Sequence, residues 1–170
     1  MKTISAKDWS EIRKAALQKY NLYDSEWEKV YFNEFTGGYN VYHKAHNFSK
    51  KGGGGEAEKI VGKMLAKFNG KQVDFLPETG FKKSPDIKFD NQTWDIKLID
   101  NANEETIRKA IRDARKAQNA IFYWHEHDKL EMLISAVGRE AGYFNNKNKL
   151  REMPNIYYMD NGVIKLLWSK

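Results

Sequence analysis

The stretch Ser84-Pro85-Asp86-Ile87-Lys88-Phe89-Asp90-Asn91-Gln92-Thr93-Trp94-Asp95-Ile96-Lys97 alternates apolar and polar side chains on both sides of Asp90-Asn91. That is the pattern of two short strands joined by a tight turn. Asp and Asn both tolerate the left-handed conformation that a two-residue hairpin turn requires. Counting outward from the turn pairs Phe89 with Gln92, Lys88 with Thr93, Ile87 with Trp94 and Asp86 with Asp95. Directly opposed side chains in a hairpin have Cβ atoms about 4.5–5.5 Å apart, so the two carboxylates repel unless positive charge stands between them. Ile87, Phe89, Trp94, Ile96 and Leu98 fall on one face, the expected core, and Asp86, Asp95 and Lys97 fall together on the other. Two carboxylates, with waters and a phosphate oxygen, suit a hard divalent cation such as Mg²⁺ or Mn²⁺. Such a cation polarises a phosphate and lowers the pKa of a bound water, and Lys97 can orient that water or offset charge at the phosphate. The competing reading is a solvated hairpin face on which Asp95 and Lys97 are merely neighbours.

Before the hairpin, Glu56 to Phe68 reads as an amphipathic helix with Ala57, Ile60, Val61, Met64, Leu65 and Phe68 in one stripe. Asn69-Gly70 ends it. Gln72 to Leu76 alternates as a strand. After the hairpin, Glu104 to Ala117 reads as helix, Ala120 to Trp124 as a short buried strand, and Lys129 to Ala141 as helix. Ile156 to Met159 and Val163 to Trp168 form a closing hairpin around Asp160-Asn161-Gly162. The order predicts an α/β chain with a mixed central sheet flanked by helices.

Lys50 to Gly55 carries four consecutive glycines and reads as a linker. Residues 1–49 then form an N-terminal extension, 50–55 the linker and 56–170 the main domain. In the extension, Ser5 is the expected N-cap of a helix with Trp9, Ile12, Ala16 and Tyr20 at helical spacing, Tyr23 to Phe35 lacks a clean period, and Tyr39 to His43 reads as a strand.

Pro85-Asp86 followed by Asp95-Ile96-Lys97 resembles the signature of PD-(D/E)XK, or restriction-endonuclease-like, nucleases. The resemblance covers roughly residues 53–124, and implies a restriction-endonuclease-like core that hydrolyses phosphodiester bonds with Mg²⁺ or Mn²⁺ held on Asp86 and Asp95. In that family a helix before the signature often adds a Glu to the metal site. Glu58 shares a helix side with Val61 and Leu65 and can reach the sheet, whereas Glu56 is better placed to complement the helix dipole. Glu58 is therefore the expected third ligand and Glu78 the reserve. The wording is most similar to nuclease domains at the C-terminal ends of contact-dependent inhibition toxins and to domains attached to phage minor head proteins. A toxin of that kind acts in the cytoplasm on tRNA, other RNA or DNA, arrives from outside or with a phage particle, and needs an inhibitor protein. The alternative is a non-catalytic nucleic-acid-binding or phage-structural module on the same fold.

A net charge of +6 over 170 residues favours a polyanionic partner. Arg108, Arg112 and Arg115 recur along the helix after the hairpin, and with Lys116 and Gln118 they are the expected nucleic-acid contacts. The rival reading is a solvated helix face balanced by Glu104, Glu105 and Asp113. The absence of cysteine excludes disulfides and thiolate zinc, and no apolar run is long enough to span a membrane. His43, His46, His125 and His127 show no zinc spacing and are expected to serve surface or supporting roles.

Overall fold

The computed structural model describes residues 6–50, 53–78, 80 and 84–170; the expected cap Ser5 and the linker residues Lys51 and Gly52 lie outside them. Helices α1 (Ala6–Leu22), α2 (Gly54–Asn69), α3 (Glu104–Asp113) and α4 (Leu130–Asn146) accompany a single eight-stranded sheet. Its strands are β1 (Trp27–Phe32), β2 (Tyr39–His43), β3 (Gln72–Phe75), β4 (Ile87–Phe89), β5 (Gln92–Leu98), β6 (Asn119–Tyr123), β7 (Asn155–Asp160) and β8 (Val163–Trp168). They lie side by side in chain order. The β1–β2, β3–β4, β4–β5 and β7–β8 pairs are antiparallel and the β2–β3, β5–β6 and β6–β7 pairs parallel. The chain is thus α/β with a mixed sheet. No helix among the described residues is long and apolar enough to cross a membrane.

The decisive turn is built as its residue types require: Asp90 and Asn91 take φ of 50° and 58°, and the register runs Phe89↔Gln92, Lys88↔Thr93, Ile87↔Trp94. The ladder ends there. The Asp86 N–H donates to the Trp94 carbonyl (3.0 Å), so Asp86 does not simply face Asp95 across the hairpin.

Both faces of the sheet are covered. On one, Ala57, Val61 and Leu65 of α2 pack on Phe75, Ile87, Trp94 and Ile96. On the other, Ile107 and Ile111 of α3 and Leu133 and Val137 of α4 pack on Ala120, Phe122 and Ile156. Truncating one of the buried leucines or isoleucines among these to Ala costs about 2–5 kcal/mol. The face carrying Asp95 is therefore interior, where the hairpin pattern alone offered a solvated face as the rival reading.

Residues before the glycine run belong to the same sheet, since β2 pairs with β3 along Tyr39↔Gln72 to Tyr42↔Phe75. β1, which has no clean period in the sequence, is an edge strand with a register shift between Lys29 and Tyr31 and mostly exposed side chains, so nothing imposes alternation on it. α1 rests on the sheet through Ala16 and Tyr20, while Trp9 and Ile12 stay exposed. The glycines do not act as a spacer where they are described. Gly53 has φ of +81° at the start of α2, and a Cβ on buried Gly55 would meet the Phe48 carbonyl oxygen at 1.8 Å. Glycine there permits backbone contact.

Candidate active site

Four acidic side chains and three lysines converge where β4 and β5 meet the start of α2. Asp86, at the end of the hairpin ladder, accepts the Ile96 N–H on Oδ2 (2.7 Å) and is 3 % exposed; Asp95, inside β5, is 0 % exposed. Lys97, two residues further along the same face of β5, places Nζ 2.6 Å from Asp95 Oδ2. Lys116 arrives from the short 3₁₀ turn Ala114–Lys116 after α3, with Nζ 2.8 Å from Asp95 Oδ1 and 3.5 Å from Asp86 Oδ1.

Glu58 enters from the first turns of α2 and is buried. Its Oε1 meets Lys50 Nζ at 2.5 Å, and the same ammonium lies 3.1 Å from Asp86 Oδ1 and 3.3 Å from Glu78 Oε1. Glu58 Oε2 meets His46 Nε2 at 3.0 Å, while His46 Nδ1 lies 2.7 Å from the Leu76 carbonyl. A carbonyl only accepts, so Nδ1 carries a proton, and the proton in the Nε2–Oε2 contact belongs to either the imidazole or the carboxyl. Packing against Phe48 and Phe75 fixes the ring. Glu58 is thus held at both oxygens.

The two aspartates are driven apart electrostatically. Burial and the adjacent Asp86 charge push Asp95 up to about 7, against the pull of Lys97 and Lys116. Burial also works against the Asp86 carboxylate, but contact with the Asp95 carboxyl, the Lys116 and Lys50 ammonium groups and the Ile96 N–H hold it well below the usual range. Two carboxylates this close in a dry site do not both ionise readily. Burial disfavours the Lys50 and Lys116 ammonium groups too, yet the surrounding carboxylates raise both.

Both Asp95 oxygens are buried and receive no hydrogen bond of good geometry among the described residues, although ammonium nitrogens stand beside them. Hard-oxygen donors left in this condition fit a divalent cation. Among the described residues no group of three or more His, Asp or Glu side chains is gathered as a metal site; at this centre ammonium groups lie between the carboxylates.

The structure therefore brings Glu58, Asp86, Asp95 and Lys97 together, adds Lys116 from the expected nucleic-acid set, and joins the reserve Glu78 through Lys50. Lys50 and His46 carried no signal in spacing or periodicity. Arg108 and Arg112 are turned inward: both reach buried Glu140 of α4 (2.7 and 3.4 Å) and both pair with Glu105. Arg115 is half exposed, near Glu152 at 3.6 Å. Gln118 braces β5 by accepting the Thr93 N–H (3.0 Å) and donating its own N–H to the Thr93 hydroxyl (3.2 Å). His125 forms a separate pair with Asp100 (2.6 Å). It borders a cavity of about 780 Å³ that none of the carboxylates of the centre lines. Family profiles, curated proteins and solved structures were compared with the chain, and none matches it.

Proposed function

We propose that the chain is a metal-dependent nuclease of the PD-(D/E)XK kind, with a restriction-endonuclease-like core and a centre made of Glu58, Asp86, Asp95 and Lys97. The observation that carries this reading is Asp95, a fully buried carboxyl group beside a second one, with a lysine ammonium 2.6 or 2.8 Å from each of its oxygens. Burying such a group costs several kcal/mol, and a hairpin serving only as scaffold gains nothing from it. The order of α2, hairpin and α3 supports the fold reading, since α2 delivers Glu58 as the resemblance implies.

With the ammonium groups between them displaced, Asp86 and Asp95, with Glu58, would hold Mg²⁺ or Mn²⁺, which would supply Lewis-acid polarisation of the phosphate and a bound water of lowered pKa. Lys97, whose side chain is 23 % exposed, reaches from Asp95 toward solvent and donates to a phosphate oxygen as negative charge grows there. Lys116 steadies Asp95 from the α3 side, and His46 keeps Glu58 turned toward Asp86. Water oxygen joins phosphorus, and the bond from phosphorus to the leaving sugar oxygen breaks. The substrate is RNA, including tRNA, or DNA. On the toxin branch of the resemblance the place of action is the cytoplasm and an inhibitor protein accompanies the chain.

A second reading is favoured by the ammonium groups standing between the carboxylates. On it the cluster is a closed salt-bridge network inside a non-catalytic nucleic-acid-binding or phage-structural module. Incubating purified protein with total tRNA and with plasmid DNA, in Mg²⁺, Mn²⁺ or EDTA, separates the two. Metal-dependent cutting lost in folded Asp95→Ala supports the nuclease; binding without cutting under every condition sinks it.

A further inference from the structure

Beside the carboxylate centre runs a groove of about 550 Å³. Five of its lining residues are cationic (Arg112, Arg115, Lys116, Arg151 and Lys170) and two are acidic (Asp113 and Glu152), an excess of three positive charges. No aromatic side chain among the described residues lines it. Two of its lining residues, Thr93 and Gln118, are locked together by the hydrogen bonds described above, so β5 and the start of β6 give it a fixed wall.

The groove is continuous with the centre. Thr93, Asp95 and Lys97 share one face of β5, with about 6.6 Å between successive members. Lys116 lines the groove and also touches Asp95 and Asp86. Its cations differ in what already engages them. Arg112 is committed to Glu140 and Glu105. Arg151 is exposed. Lys170 Nζ donates to the Arg151 carbonyl (2.8 Å), and Arg115, 3.6 Å from Glu152, keeps half its side chain in solvent.

Resting on the nuclease reading of the centre, we propose that this groove is the track for the sugar-phosphate backbone of the substrate strand. Arg115, Arg151 and Lys170 grip phosphates on one side of the scissile bond. A cationic channel without aromatic stacking surfaces recognises repeated phosphates and not bases, so binding along it is independent of sequence. Arg108, held between Glu140 and Glu105, takes no part.

The test measures binding of fluorescein-labelled single-stranded RNA, single-stranded DNA and duplex DNA in EDTA, by anisotropy, across roughly 50–200 mM salt. The proteins are the wild type, Arg151→Gln, Lys170→Gln and the double variant, with Lys165→Gln as control because Lys165 pairs with Asp160 on another surface. Each groove substitution is expected to lower the slope of log affinity against log salt by about one, equally for unrelated sequences, with the melting temperature unchanged. Equal slopes for wild type and the folded double variant would overturn the track, as would a loss confined to particular sequences. Cleavage in Mg²⁺ is read in parallel. Cutting with unchanged slopes removes the groove alone, whereas lost slope without any cutting keeps a phosphate-binding groove and removes the nuclease.

Discussion

Two charge clusters lie inside this molecule, and they use different cations. Between α3 and α4, buried Glu140 meets the guanidinium groups of Arg108 and Arg112, which also hold Glu105: two acids against two arginines. At the hairpin, Glu58, Glu78, Asp86 and Asp95 meet Lys50, Lys97 and Lys116: four acids against three lysines. Guanidinium is planar, presents a rigid fork of donors and keeps its charge, so it locks two helices together. An ammonium is a compact point charge on a flexible stem that can be exchanged for another cation. Among the described residues one Glu140 oxygen and both Asp95 oxygens receive no hydrogen bond of good geometry, although ammonium nitrogens stand 2.6 and 2.8 Å from the latter. On the proposed reading, one cluster holds the fold and the other holds a cation that can be exchanged.

The sharpest way to break that contrast is to remove one acid from each. Asp95→Ala is expected to reduce metal-dependent cutting of tRNA or plasmid DNA to background while circular dichroism and melting show a folded protein. Glu140→Ala does the reverse: it takes the buried partner from two arginines that keep only the exposed Glu105, and is expected to lower the midpoint of urea unfolding, with cutting per folded molecule preserved. If Glu140→Ala unfolds no earlier than wild type, the structural role of the arginine cluster is wrong.

Smaller effects sharpen the comparison. Lys50→Met removes the ammonium shared by Glu58, Glu78 and Asp86, so calorimetric Mn²⁺ affinity is expected to rise roughly tenfold, about 1.4 kcal/mol. A weaker affinity would mean that Lys50 assembles the carboxylates and does not compete with the metal. The pH dependence follows from Asp95, which folding raises from 3.8 to about 7. A carboxyl whose pKa rises on folding binds its proton more tightly in the folded state. Its stabilising effect is therefore complete below pH 3.8 and is lost as pH climbs to about 7. Asp95→Asn is expected to flatten that part of the metal-free melting curve; an unchanged profile would assign the slope to other groups.

Much of the local architecture was legible in the chain. The hairpin register follows from two residues that accept positive φ, and α2 from its apolar stripe, because turn stereochemistry and helical period act over a few residues. β1 was not legible, since an edge strand open to solvent needs no alternation. Within the centre, the shared face of Asp95 and Lys97 could be counted from Asp90-Asn91, whereas Asp86 lies beyond the end of the ladder, where the count stops. Lys50 and His46 could not, because each reaches the centre from a loop with no periodicity to aim it.

By itself, then, the sequence determined the α/β succession, the hairpin and the shared face of Asp95 and Lys97, all consequences of short-range sterics and side-chain alternation. Only the tertiary structure decided that this face is interior, that Lys116 and Lys50 stand among the carboxylates, and that Arg108 and Arg112 turn to Glu140 on α4 instead of outward. Those outcomes depend on through-space separation and local dielectric. Separation along the chain sets neither: Glu140 is 32 residues from Arg108 and 2.7 Å away in the fold.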